Sequence, residues 1–225
     1  MTDEHKAALL TLSTMVGCKR LYVDTDYYDA FNRETFSIVS LKDTLIKRVS
    51  QEGLVVAGVS YNVDVIVFAT GYDAMTGALN RINIQGQVGK TLSDAWKEGP
   101  KNYLGIAVAG FPNFFTITGP GSPSVLTNML PSIAHHVELV SDILNSACEQ
   151  KKPVIEVEPD AQFAWTKHVN EIANGTLYPR CNSWYLGANI LGKPQVFMPY
   201  KGFAAYVAKC NNIKATGFRG FKFSD

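Results

Sequence analysis

Apolar residues recur at three-to-four spacing in two long stretches and gather into short runs elsewhere. The longest periodic stretch, from about Leu130 to Gln150, sets Ile133, Val137, Val140, Ile143, Leu144 and Ala147 on one face. That spacing predicts an amphipathic helix. Pro131 suits its first turn, where a missing N–H costs nothing. A second helix is predicted over Pro159–Asn174, with Phe163 and Val169 inward and Gly175 as its C-cap. Residues 3–15 carry Ala7, Leu10 and Thr14 on one side, predicting a short helix capped by Thr2 or Asp3 and ended by Gly17. Another short helix is expected near Ala204–Cys210.

The strand signals are shorter. Phe36–Ser40 and Leu54–Ala57 are β-branched runs, and Gly53 after Gln51-Glu52 predicts a hairpin turn. Val63-Asp-Val-Ile-Val-Phe68 reads as a buried strand that runs into Ala69-Thr70-Gly71. Those three residues suit either a tight strand exit or the close approach of a ligand to the backbone. Phe114–Thr118 reads as a second buried strand and ends in Gly119-Pro-Gly-Ser-Pro-Ser124. Between them, residues 74–110 are loop-rich, with one helical turn at Leu92–Trp96. Two strands that each end in a glycine-rich turn predict an α/β fold with its ligand at the carboxyl ends.

Composition narrows the function. The chain has 225 residues, 46% apolar and 18% charged, enough for a core of one large or two small domains. A net charge of +1 gives no electrostatic footprint for nucleic acid or an anionic membrane. No apolar run approaches the roughly 20 residues of a membrane helix, and the polar start is not a signal peptide. The expected compartment is the cytosol. Cys18, Cys148, Cys181 and Cys210 are far apart and form no C-x-x-C pair, so four unpaired thiols and no metal site are expected.

Few residues carry obvious chemistry. Lys19-Arg20, just past a helix end, is either a solvated pair or an anion site with one planar fork and one point charge. His135 and His136 point about 100° apart on a helix, so they cannot share a metal ion and are expected to face solvent. Pro120 and Pro123 remove amide donors from the Gly119–Ser124 loop, which argues against a pyrophosphate-binding role. Trp184, in the stretch from Asn182 to Asn189, is either a core anchor or a pocket wall.

Taken together, several stretches resemble the C-terminal part of the Baeyer–Villiger monooxygenases of the cyclohexanone and phenylacetone type. They are Cys18-Lys-Arg-Leu21, Tyr27–Arg33, Asp64–Leu79, Trp96–Pro100, Gly119–Ser124, Asn182–Asn189 and Gly192-Lys193, in the family's order over nearly the whole chain. The resemblance implies an α/β fold made of part of two Rossmann-like dinucleotide-binding domains, without either N-terminal G-x-G-x-x-G βαβ unit. Residues 1–72 would end an NADPH-binding domain, and 73–225 would form the second segment of an FAD-binding domain. The implied cofactors are FAD and NADP, and the implied reaction uses dioxygen to turn ketones into esters or lactones. Arg20 matches the family's catalytic arginine, and Lys19 the lysine beside the NADPH 2′-phosphate. Ala69, Thr70 and Gly71 match the linker between the two domains. Ser124, Val125 and Leu126 match a loop beside flavin and substrate, with Met129 close to the flavin ring. Trp184 matches the tryptophan of a loop that closes over the nicotinamide side. The rest of the site would come from a missing N-terminal half or a separate chain. A non-catalytic remnant or accessory module stands as the alternative.

Overall fold

Ser50 and Gly53 exchange backbone hydrogen bonds, Ser50 N–H to Gly53 O at 2.8 Å and Gly53 N–H to Ser50 O at 3.4 Å. This turn joins β1 (Ile46–Val49) to β2 (Gly53–Val56), as the sequence predicts. Only glycine fits its end: φ is +148°, and a Cβ there would lie 2.1 Å from Tyr61 O. β3 (Val59–Asn62) pairs antiparallel with β2 through the tight Ala57-Gly58 turn, both residues at positive φ. The computed structural model describes residues 2–42 and 44–225, and the chain divides into two compact units. The three strands belong to unit 1, Met1–Met15 with Arg20–Gly71.

Three sequence expectations fail in unit 1. Helix α1 spans Glu4–Leu10, shorter than residues 3–15, with Asp3 as its N-cap. It stops at Thr11, which turns extended: its N–H makes the last helical bond, to Ala7 O at 3.0 Å, and its Oγ1 donates to the same carbonyl at 2.8 Å. The run 63–68 is not a strand: Val63 N–H donates to Glu52 O at 3.0 Å, but residues 64–68 join no strand among the described residues, and Val65, Val67 and Phe68 are 75%, 81% and 73% exposed. Phe36–Ser40 is not a strand either. Instead Phe31 packs edge-on against Phe36 while Lys6 Nζ donates to both their carbonyls, near the short helix α2 (Tyr27–Ala30).

Unit 2, Val16–Lys19 with Tyr72–Asp225, holds most of the buried apolar residues. It opens with the short turns α3 (Gly77–Asn80) and α4 (Leu92–Ala95), the latter capped by Thr91. Leu92, Trp96, Val108 and Phe111 make a small core of their own. The main core lies among α5 (Met129–Gln150), α6 (Pro159–Asn174), α7 (Phe203–Ala215) and an antiparallel pair, β4 (Val154–Val157) with β5 (Phe221–Ser224). Both sheets are antiparallel. Phe114–Thr118 is not a strand; it contributes only an isolated bridge between Phe115 and Ala107.

The helices form where periodicity places them, but their inward faces differ. α5 buries Ser132, His136, Leu139, Ile143 and Ala147, while Ile133, Val137 and Leu144 are exposed. A buried histidine moves the face: His136 is wholly inside because both its ring nitrogens are hydrogen-bonded. In α6, Val169 is inward as expected, yet Phe163 is 71% exposed and Trp165 takes the core position. The expected set of four free thiols is also corrected. Cys18 and Cys181, 163 residues apart, are joined as a disulfide with their Cα atoms 5.7 Å apart, leaving Cys148 and Cys210 free. No described helix is long and apolar enough to cross a membrane.

Candidate functional site

Residues 119–124 are all buried although they form a loop. A buried loop must satisfy its polar backbone internally, and the neighbours supply the partners. Gly119 N–H donates to Gly105 O at 3.1 Å, and Gly121 N–H to Met198 O. Asn102 donates to Pro120 O while its Oδ1 accepts from Gly105 N–H at 3.1 Å. Trp165 Nε1 donates to Gly121 O at 3.2 Å. Tyr200 N–H donates to Ser122 O at 2.5 Å. Pro120 and Pro123 bring no N–H that would need a partner. The amides of Gly119 and Gly121 are thus engaged by protein and turned away from any phosphate.

Gly105 sets how closely this loop can lie. Its φ is +73°, and a Cβ would meet Ser122 Cβ at 2.5 Å and Ser122 N at 2.8 Å. Gly105→Ala is therefore expected to cost about 2–4 kcal/mol, combining left-handed strain with overpacking. A urea titration followed by tryptophan fluorescence would check it; a loss below about 1 kcal/mol would contradict the packing described.

His136 fixes the start of the loop. Its Nδ1 accepts from Thr118 N–H at 2.8 Å, so the proton sits on Nε2, which faces the Tyr206 hydroxyl at 2.8 Å. Tyr206 in turn donates to Leu104 O at 2.6 Å. Burial, reinforced by neighbouring His135, lowers the imidazole from 6.5 to about 4. In the unfolded chain His136 takes its proton near 6.5. Stability held above that value should therefore fall as the pH drops from about 6.5 toward about 4, by about 3 kcal/mol in all. Urea midpoints across this range, for the native chain and His136→Gln, would show it. The variant should lose most of the slope in that window.

Ser124, Val125, Leu126 and Met129 are brought together by this construction. Ser124–Leu126 forms a 3₁₀ turn directly before α5, Asn128 caps the helix, and Met129 is its first residue. Ser124 is buried, while Val125, Leu126 and Met129 are half-buried. Trp184 lies half-buried in a second 3₁₀ turn, Trp184–Leu186, its ring 4.3 Å from that of Tyr185. The segment Tyr72–Met75 runs from the stretch just after the Trp184 turn to Ser124. Asn189 donates to Tyr72 O at 2.8 Å, Lys193 pairs with Asp73 at 2.5 Å, and Ser124 Oγ meets Met75 Sδ at 3.7 Å. Lys19 is exposed in unit 2, one residue beyond the disulfide. Arg20, Ala69, Thr70 and Gly71 belong to unit 1 and are exposed. Neither Lys19 nor Arg20 forms an ion pair with a described residue.

Sequence reasoning missed the residues that hold these turns. Asn102, Trp165, His136, Tyr206 and the Asp73–Lys193 pair meet across separations of 18 to 120 residues, which no local pattern signals. The expectation of a solvent-facing His136 is overturned by its complete burial. No cluster of metal-binding side chains occurs among the described residues.

No family model matches this sequence. Over 210 residues it is 38% identical to a phenazine N-monooxygenase of Lysobacter antibioticus, a match covering 92% of this chain and 38% of that protein. Over 205 residues it is 36% identical to a cyclohexanone 1,2-monooxygenase of Acinetobacter sp, covering 90% and 37%. Among solved structures, a closed crystal structure of cyclohexanone monooxygenase matches the whole chain with a TM-score of 0.96 at 38% identity, covering 42% of that chain. The crystal structure of the OTEMO complex with FAD and NADP matches at a TM-score of 0.93 and 31% identity, again over 42% of its length. The chain thus spans about two-fifths of the length of the curated relatives it matches.

Proposed function

We propose, from the premise that this chain belongs to the Baeyer–Villiger type of flavin monooxygenases as a C-terminal portion of one, that it supplies part of a ketone-oxygenating site. The whole enzyme would insert one oxygen atom of dioxygen into a ketone, giving an ester or lactone. The observation that carries this reading is the match over the whole chain, at a TM-score of 0.96, to a cyclohexanone monooxygenase.

The residues present suit two parts of the cofactor site. The exposed, unpaired Lys19 suits the 2′-phosphate of NADP. The half-buried turn Ser124–Leu126 and Met129, fixed by a buried hydrogen-bonded loop, suit a wall against the FAD ring and the ketone. No G-x-G-x-x-G stands in the sequence, so the pyrophosphates would be held by residues outside this chain. When bound, FAD reduced by NADPH supplies the electrons and activates the oxygen. Arg20 would hold its fixed positive charge and paired N–H groups toward the oxygen that becomes anionic. Trp184 would cover the nicotinamide side and exclude water. Ala69, Thr70 and Gly71 would join residues 1–72, the end of the NADPH domain, to residues 73–225, the second FAD segment. The Rossmann-like sheet of each would be completed by strands from a missing N-terminal half or a separate chain. The run Val63–Phe68 would pair there.

The alternative, a remnant or accessory module that acts only with another chain, is favoured by the lack of a pyrophosphate loop. One series of measurements separates the readings. The chain alone is expected to purify without bound flavin, and a yellow preparation with stoichiometric FAD would contradict this. Joined to the N-terminal portion of a relative, it is expected to bind FAD and oxidise NADPH faster with a ketone present. In that enzyme Arg20→Ala should still allow flavin reduction but lower ester formation at least 100-fold. Unchanged product formation would sink the assignment. Offering a phenazine beside the ketone would show which acceptor the pocket prefers, since one relative is named for that substrate.

A further inference from the structure

Residues Val16–Lys19 belong to unit 2 although the chain on both sides of them belongs to unit 1. Two bonds involving Cys18 fix them there: the disulfide to Cys181, and the hydrogen bond from Ser183 Oγ to Cys18 O at 2.5 Å. Cys18 is 3% exposed, while Val16 next to it is 77% exposed and Lys19 is exposed. The segment is therefore pinned at one residue and free on either side. Its anchor, Cys181, stands three residues before Trp184.

We propose that Cys18–Cys181 is a redox-controlled staple, closed in the oxidised chain and opened by a small dithiol, that fixes the Lys19 segment to the Trp184 loop. The sequence neighbours of the pair, Gly17 and Arg180, line a groove of about 580 Å³ with Val16, Asn174–Tyr178 and Lys201; the two cysteines lie behind this lining, so a reagent would reach them by its local opening. Arg180 and Lys201 are cations, and no carboxylate lines the groove. Positive charge there, with Lys19 adjacent in sequence, favours the thiolates released on opening. In the opening step a thiolate of the dithiol attacks one sulfur and displaces the other as a cysteine thiolate. The second thiol of the reagent then expels the remaining cysteine and closes into its own disulfide. Two electrons and two protons pass to the protein, which ends with two thiols. Cys210 does not compete, because burial pushes its thiol up to about 12. The staple does not rest on the roles proposed above for Lys19 and Trp184.

The test uses the 225-residue chain without cofactor, so its outcome is independent of the monooxygenase reading. Peptide mapping of the air-oxidised chain without reductant should yield one linked pair, Cys18 with Cys181. Limited trypsin digestion should cut after Lys19 and Arg20 at least tenfold faster in dithiothreitol, and reoxidation should reverse this. Cys181→Ser should be cut at the fast rate in both conditions, while Cys148→Ser should behave as the native chain. Absence of the linked peptide, or cutting rates within twofold of each other, would overturn the proposal. So would faster cutting at Lys167 within α6 on reduction, since the bond would then hold the whole unit together rather than one segment.

Discussion

Trp165→Ala is expected to destabilise unit 2 by about 3–5 kcal/mol, the range for removing a large buried aromatic ring. Trp165 is 6% exposed and serves the core and the candidate site at once. Its ring stacks on Tyr200 at 5.3 Å with planes 8° apart and meets the edges of Tyr103 and Tyr206. Its Nε1–H is the donor to Gly121 O. The alanine variant empties the centre of the aromatic cluster and orphans a buried carbonyl in the loop that leads to Ser124. Against a total stability of about 5–15 kcal/mol for a domain, such a loss removes a large share of the stability. Trp165→Phe separates the two contributions. It keeps most of the ring contact and removes only the donor, so its hydrogen-bond cost should be about 1–3 kcal/mol. Urea unfolding followed by far-UV circular dichroism would check both variants. A loss below about 1 kcal/mol for alanine would show that the cluster collapses around the gap.

Local patterns were enough to find the elements that depend on local physics. α5 starts within a residue of its predicted position because Asn128 can cap and Pro131 can sit in the first turn. α6 ends at Gly175, and the Ser50–Gly53 turn forms where Gly53 requires it. Elements that depend on distant partners were not legible. β4 and β5 have four residues each and pair Val154 with Ser224, so neither carries enough pattern to stand out. His136 looked like a surface residue because its buried partners, the Thr118 amide and Tyr206, come from elsewhere in the fold. The same holds for Cys18 and Cys181, whose separation of 163 residues hides the pairing. At the candidate site, motifs select Ser124, Val125, Leu126 and Met129, which the structure places at one turn before α5. What holds them, from Asn102 and Trp165 to the Asp73–Lys193 pair, was not legible.

Val67→Asp is expected to be almost neutral in this chain and severe in the complete enzyme. Val63–Phe68 has the composition of a strand covered on both faces, yet Val65, Val67 and Phe68 are more than 70% exposed here. A charge placed at an exposed position moves stability by less than about 0.5 kcal/mol. If the run is completed by strands from the N-terminal portion, as proposed, the same aspartate becomes a buried, unpaired carboxylate. That environment costs several kcal/mol, enough to prevent assembly or to force the carboxyl to stay protonated. Urea midpoints of the two forms, each with valine and with aspartate at position 67, give four numbers whose double difference isolates the covering of this one side chain. A large double difference supports sheet completion at this run. Equal small effects in both forms would mean that Val67 stays exposed in the complete enzyme. The apolar character of 63–68 would then need another explanation than a missing neighbour.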